Sequence, residues 1–120
     1  MKILIVDDVQ EYLNSLCRAL RGTYEVAKAT TLAEAKEKMD ATVGLALVDI
    51  RLSEEDPANR DGLLLLGWLK ERFPAVPVVM MSAYRDFDAA VDAQNLGAVH
   101  FLKKPINLRE LKEVIAAHAK

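Results

Sequence analysis

Cysteine is nearly absent from this chain. Cys17 is its one thiol, so no internal disulfide forms, and a reducing compartment is expected. Basic excess is absent too: 16 Lys and Arg stand against 18 Asp and Glu, which argues against a general nucleic-acid surface. No apolar run approaches the roughly 18 residues of a membrane span. The opening run Ile3-Leu4-Ile5-Val6 is too short for a signal peptide, and two aspartates follow at once, so the chain reads as mature cytoplasmic sequence. There is no internal repeat, low-complexity tract or linker, and 120 residues are expected to form one domain, 1–120.

What the chain does have is 52% apolar residues in two alternating patterns. Short apolar runs suit strands covered on both faces: Ile3 to Val6, Tyr24 to Ala29, Gly44 to Asp49, Val76 to Met81 and Val99 to Lys103. Between them lie helical stretches. Val9 to Arg21 carries an apolar stripe at 9, 12, 13, 16, 17 and 20, with Gly22 as a stop signal. Thr31-Leu32-Ala33-Glu34 is a capping box opening a helix to about Met39. Asp61-Gly62 opens a helix through Phe73, and Arg85 to Leu96 a fourth, ended by Gly97. Asn107 caps a last helix with Leu108, Leu111, Val114, Ile115 and His118 on one side. The order βαβαβαβαβα implies parallel strands joined by right-handed crossovers, an α/β architecture that binds ligands beyond the carboxyl ends of its strands.

Those ends carry the chemistry. The first strand ends at Asp7-Asp8, the third at Asp49, the fourth at Met81-Ser82 and the fifth near Lys103-Lys104-Pro105. An unpaired buried carboxylate is costly, so Asp49, closing an apolar strand, calls for a partner. Three carboxylates on one rim repel one another; a hard divalent cation such as Mg²⁺ and a lysine would relieve them. A carboxylate beside Mg²⁺, an ammonium and a hydroxyl together suit phosphoryl transfer, with the carboxylate itself as nucleophile. Taken singly, each residue has a duller reading: Asp7 and Asp8 as a turn, Ser82 as a helix cap, Lys104 as a surface lysine, Phe101 as packing. His100 and His118 are too far apart to suggest a metal site.

The motifs "ILIVDD" at 3–8, "LVDI" at 47–50, "DGLLLL" at 61–66, "MMSAY" at 80–84 and "GAVHFLKKP" at 97–105 occur in order at strand ends. In these the chain resembles a response-regulator receiver domain of bacterial two-component signalling, from Lys2 to about Ala117. The resemblance implies a doubly wound, flavodoxin-like (βα)5 fold with a five-stranded parallel sheet in the order 2-1-3-4-5. It implies that Asp49 accepts a phosphoryl group from a sensor histidine kinase or phosphotransfer protein. Asp8 would bind Mg²⁺ directly, Asp7 through water, and the Arg51 backbone carbonyl would join Asp49 as a further ligand. Ser82 would contact a phosphoryl oxygen, Lys104 would contact the phosphate, and the Lys104–Pro105 bond would be cis. Phe101 occupies the aromatic switch position, turning inward when Ser82 shifts. Arg51 and Tyr84 flank the phosphate and would modulate its lifetime. The face of the fourth helix, fifth strand and last helix would serve dimerisation or an output. Neither membrane nor nucleic-acid contact by this domain is implied, and the chain is either free-standing or the receiver of a longer regulator.

The sequence departs from the pattern in a loop, at a proline and at position 101: the usual proline soon after the aspartate is missing, and Pro57 sits later. The loop Leu52 to Arg60 is longer by about five residues, and its Ser53-Glu54-Glu55-Asp56 run reads first as a mobile solvated flap and otherwise as a contact with the kinase. Phenylalanine at 101 lacks the hydroxyl of the more common tyrosine, leaving a switch by packing alone. Rival readings fit less well. An aspartate-nucleophile phosphohydrolase would need acid and nucleophile two apart and a cap domain. A flavodoxin-like cofactor binder would need a glycine-rich phosphate loop. A degenerate receiver acting only as an interaction module would not need the full polar set.

Overall fold

The computed structural model describes residues 1–53, 55–83 and 87–119, with backbone alone at 83 and 87–90. Five strands, β1 (Lys2–Val6), β2 (Glu25–Ala29), β3 (Val43–Asp49), β4 (Val78–Ala83) and β5 (His100–Lys104), alternate with five helices. The helices are α1 (Gln10–Leu20), α2 (Leu32–Lys38), α3 (Asp61–Arg72), α4 (Phe87–Asn95) and α5 (Leu108–His118). The sheet is parallel throughout, in the order β2-β1-β3-β4-β5, as the resemblance implies.

Strand alternation builds two cores from one sheet. Ile3, Ile5, Leu45, Leu47, Val79, Met81 and Leu102 face one side. There they meet Leu13, Leu16, Cys17 and Leu20 of α1 and Leu111, Val114 and Ile115 of α5. Leu4, Val6, Ala46, Val48, Val78 and Met80 face the other, against Ala35, Leu65, Leu66, Leu69 and Ala93 of α2, α3 and α4. β3 is buried along its whole length, which explains its unbroken apolar run. Cys17 is core, as its place in the stripe suggests.

Local signals act where expected at two helix starts. Thr31 Oγ1 accepts from the Glu34 amide, and Glu34 reaches back to the Thr30 amide. Asn107 Oδ1 accepts from the Glu110 amide. Gly97 has φ +98°, a conformation that suits glycine, and lies just beyond α4. The first helix ends without such a residue, since no other glycine among the described residues has positive φ.

Three details differ from the sequence reading. β4 starts at Val78 rather than Val76 and runs on through Ala83, so Ser82 lies within the strand rather than beyond it. α3 begins with no side-chain cap; instead Asn59 Oδ1 accepts from the Asp61 amide. Leu108 is 45% exposed and does not join Leu111, Val114 and Ile115 in the core. Among the described residues no helix is long and apolar enough to cross a membrane.

Candidate phosphoryl-transfer site

The carboxyl ends of β1, β3 and β5 meet on the side of the sheet covered by α1 and α5. Asp49 has the same parity as Leu45 and Leu47, and Lys104 the same as Leu102, so both side chains emerge on that side. Asp7 continues the ladder, its amide donating to the Ala29 carbonyl at 3.1 Å. Its Oδ1 accepts from the Val9 amide at 2.9 Å, which turns the chain into α1. Lys104 closes β5 and is followed by a cis bond to Pro105.

Lys104 Nζ donates to Asp49 Oδ2 at 2.8 Å and to Asp7 Oδ2 at 2.9 Å. Asp7 is fully buried and Asp49 is 6% exposed, so these are buried ion pairs and not surface contacts. Burial above all pushes Asp49 up, to about 7; the Asp7 and Asp8 carboxylates add to the rise, and Lys104 opposes it. Lys104 is itself held above the ordinary lysine range because Asp49 and Asp7 together outweigh its desolvation. The ammonium therefore stays charged, while Asp49 carries the cost of crowding.

Carboxylate oxygens of Asp7, Asp8 and Asp49 lie within 4.8 Å of one another. All three donors are hard anionic oxygens, the ligand chemistry that Mg²⁺ prefers, so the residues fit the ion that the resemblance implies. Backbone on both sides of Arg51 is fixed: the Ile50 amide donates to the Met81 carbonyl at 3.0 Å and the Leu52 amide to Asn59 Oδ1 at 3.0 Å. The peptide that would offer the Arg51 carbonyl is thus held at the rim.

Ser82 and Phe101 sit on the opposite face of the sheet. In the β4–β5 register Met80 opposes Phe101 and Ser82 opposes Lys103, which makes Ser82 and Phe101 diagonal neighbours on one face. Ser82 is buried, and Phe101 is partly buried against the α2, α3 and α4 core. Tyr84 lies outside the described residues.

Three residues matter here that the sequence reading gave no role at the site. Gly62 brings α3 against the backbone of β3: a Cβ there would fall 2.0 Å from the Asp49 carbonyl oxygen and 2.6 Å from Ile50 Cα. Its amide donates to the Ile50 carbonyl at 2.8 Å. Asn59 staples the long loop through its two accepted bonds, from Leu52 and Asp61, so the loop is closed at its base while Glu55 to Ala58 are exposed. Tyr12, read as part of the α1 stripe, places its ring beside Lys104. The one advance signal for it is its position, one helical turn beyond Asp8.

Comparison with known proteins agrees with this geometry. Residues 3–116 match the family model of the response regulator receiver domain. The chain is 35% identical over 119 residues to the response regulator protein FleR of Pseudomonas aeruginosa, covering 98% of this chain and 24% of FleR. It is 39% identical over 106 residues to the DNA-binding transcriptional regulator NtrC of Klebsiella pneumoniae, covering 88% of this chain and 22% of NtrC. The chain thus spans about a quarter of the length of these relatives. Among solved structures it resembles a CheY-like response regulator receiver domain protein from Methanospirillum hungatei, with TM-score 0.85, 33% identity and 97% and 90% of the two chains covered. The receiver domain of NtrX from Brucella abortus gives TM-score 0.85 at 30% identity, covering 97% and 96%.

Proposed function

Because the chain belongs to the response regulator receiver domain family, we propose that Asp49 is its phosphoacceptor, taking a phosphoryl group from a phosphohistidine on a kinase or phosphotransfer protein. The observation that carries this reading is the convergence of the Asp7, Asp8 and Asp49 carboxylates with the Lys104 ammonium at one rim.

An Asp49 carboxylate oxygen attacks phosphorus, a P–O bond forms, and the P–N bond to the donor imidazole breaks. Buried backbone on both sides keeps that oxygen in place: Asp49 is paired with Met81 in β3–β4, and Gly62 lies against its carbonyl. Lys104 stands where charge collects on the transferred group and offers a fixed cation. Asp8, Asp49 and the Arg51 carbonyl would hold Mg²⁺, with Asp7 reaching it through water. When bound, the ion neutralises charge on the equatorial phosphoryl oxygens.

Ser82 would donate its hydroxyl to a phosphoryl oxygen. That movement would open space on its face of the sheet for the diagonal neighbour Phe101. The phosphoryl group would thereby bias a two-state equilibrium toward a different α4–β5–α5 surface, available for a second copy of the chain or an output element. Arg51 and Tyr84 would set access of water to the acyl phosphate. The module acts on itself and not on a metabolite. A cytoplasmic, single receiver unit, free-standing or joined to an output domain, is the setting this reading requires.

The test is intact mass after incubation with Mg²⁺ and a small acyl phosphate. One added phosphoryl group is expected in the wild type, none in Asp49→Asn, and none when Mg²⁺ is chelated. Uptake that persists in Asp49→Asn would assign the nucleophile elsewhere.

A further inference from the structure

Lys104 starts on the edge strand of the sheet, and its ammonium passes the end of β4 to reach β3 and β1. A lysine stem has four rotatable carbons and no planar group to orient it. Two carboxylates attract it, but attraction alone does not select one place between them. The structure shows a third neighbour: Nζ lies 4.5 Å from the centroid of the Tyr12 ring, within the range of a cation–π contact. We propose that Tyr12 is a positioning residue for phosphoryl transfer, its ring face holding the Lys104 ammonium at the point where it bridges Asp7 and Asp49. The proposal rests on the reading of Asp49 as phosphoacceptor.

A ring suits this place better than another polar side chain. A carboxylate at position 12 would add a fourth negative charge to a rim that already pushes Asp49 up to about 7. A ring attracts the cation through its quadrupole while adding no net charge. The mounting is rigid. Tyr12 lies in the first turn of α1, which Asp7 anchors through the Val9 amide, and Leu13, Leu16 and Leu20 bury the helix against the sheet. Tyr12 itself is not core. It borders an open groove of about 310 Å³ with Ser15, Ile106 and Leu108, so its replacement leaves the packed interior intact.

The experiment compares wild type, Tyr12→Phe, Tyr12→Leu and Tyr12→Met in the rate of phosphorylation by a small acyl phosphate with saturating Mg²⁺. Tyr12→Phe keeps the ring and should stay near the wild-type rate. Leucine and methionine fill similar space without a ring and should slow the reaction about fivefold, the rate equivalent of one contact of this kind. Two ringless variants guard against one that folds poorly. The second readout uses metal-free protein: the ε-methylene protons of Lys104 should show an upfield ring-current shift by NMR in wild type and Tyr12→Phe, lost in Tyr12→Leu. Ringless variants that match Tyr12→Phe in rate, or an unshifted methylene in the wild type, overturn the proposal. A wild type that takes up no phosphate overturns the phosphoacceptor reading, and this proposal with it.

Discussion

The ammonium of Lys104 lies 2.8 Å from a carboxylate oxygen of Asp49, across the end of the strand that separates them in the sheet. One contact thereby ties the edge strand β5 to the central strand β3, with both partners largely removed from solvent. Removing one partner of a buried pair leaves the other charge uncompensated, which typically costs about 3–5 kcal/mol. Lys104→Met should therefore lower the stability of metal-free protein by about 3 kcal/mol at about pH 8, where Asp49 is ionised, measured by urea unfolding. The loss should shrink as pH falls through about 7 and Asp49 takes up a proton. An unchanged midpoint at about pH 8 would mean that the pair contributes nothing net.

Asp49 gives metal-free protein a pH dependence of definite sign. Its carboxyl titrates at about 7 when folded against an ordinary value of 3.8. Between those values the folded protein holds a proton that the unfolded chain has released, so low pH favours folding. This contribution is complete below the unfolded value and is lost as pH rises through the folded one. Lys104, raised from its ordinary value, stays charged throughout this window. Stability should fall from about pH 4 to about pH 7, and Asp49→Asn should flatten that slope. A slope equally steep in the variant would move the titration to another group.

Mg²⁺ should reverse the alkaline loss. An ion bound by the folded state alone stabilises it by mass action, by about 2.7 kcal/mol at a hundred times its dissociation constant. Thermal melting at about pH 8 should shift upward with Mg²⁺ in wild type and little in Asp8→Asn. An equal shift in the variant would remove Asp8 from the ligand set.

The two glycines of α3 should respond in opposite directions to the same change. At Gly62 a methyl group meets the Asp49 carbonyl oxygen and the Ile50 backbone, which cannot rotate away. Gly62→Ala should cost about 1–3 kcal/mol and slow phosphorylation as well, because the displaced backbone carries Asp49. At Gly67 nothing lies within 4 Å of the added methyl, and alanine favours the helix by about 0.5–1 kcal/mol. Gly67→Ala should raise the urea midpoint with no change in phosphorylation rate.

Asn59 bridges the two ends of the long loop, accepting from the Leu52 and Asp61 amides. Asn59→Ala should cost about 1 kcal/mol and speed hydrogen exchange at those two amides. Unchanged exchange would show that the loop is held by other contacts.

Much of this was legible in the residues. Thr31 with Glu34, and Asn107 with Glu110, announce helix starts because capping is a short-range bond that the chain carries with it. Asp7, Asp8, Asp49 and Lys104 were legible as a site because a charge at the end of an apolar strand is costly unless it has company. Ser82 was harder to bound: a serine fits either a turn or a strand, and no glycine or proline stands beside it, so its pairing with Lys103 decides that the strand continues. Leu108 reads as core by helical spacing, yet the position of α5 on the sheet leaves it exposed.

By itself the sequence determined the alternation of strands and helices, the burial of the strands on both faces, and the charged residues that end the first, third and fifth strands. These follow from periodicity and from local hydrogen bonding, which need no distant partner. Only the tertiary structure decided that Lys104 bridges two carboxylates, that Tyr12 faces its ammonium, that Gly62 admits no side chain and that Asn59 closes the long loop. Each of these depends on distances between elements set by crossover packing and sheet order, and a linear pattern does not encode such distances.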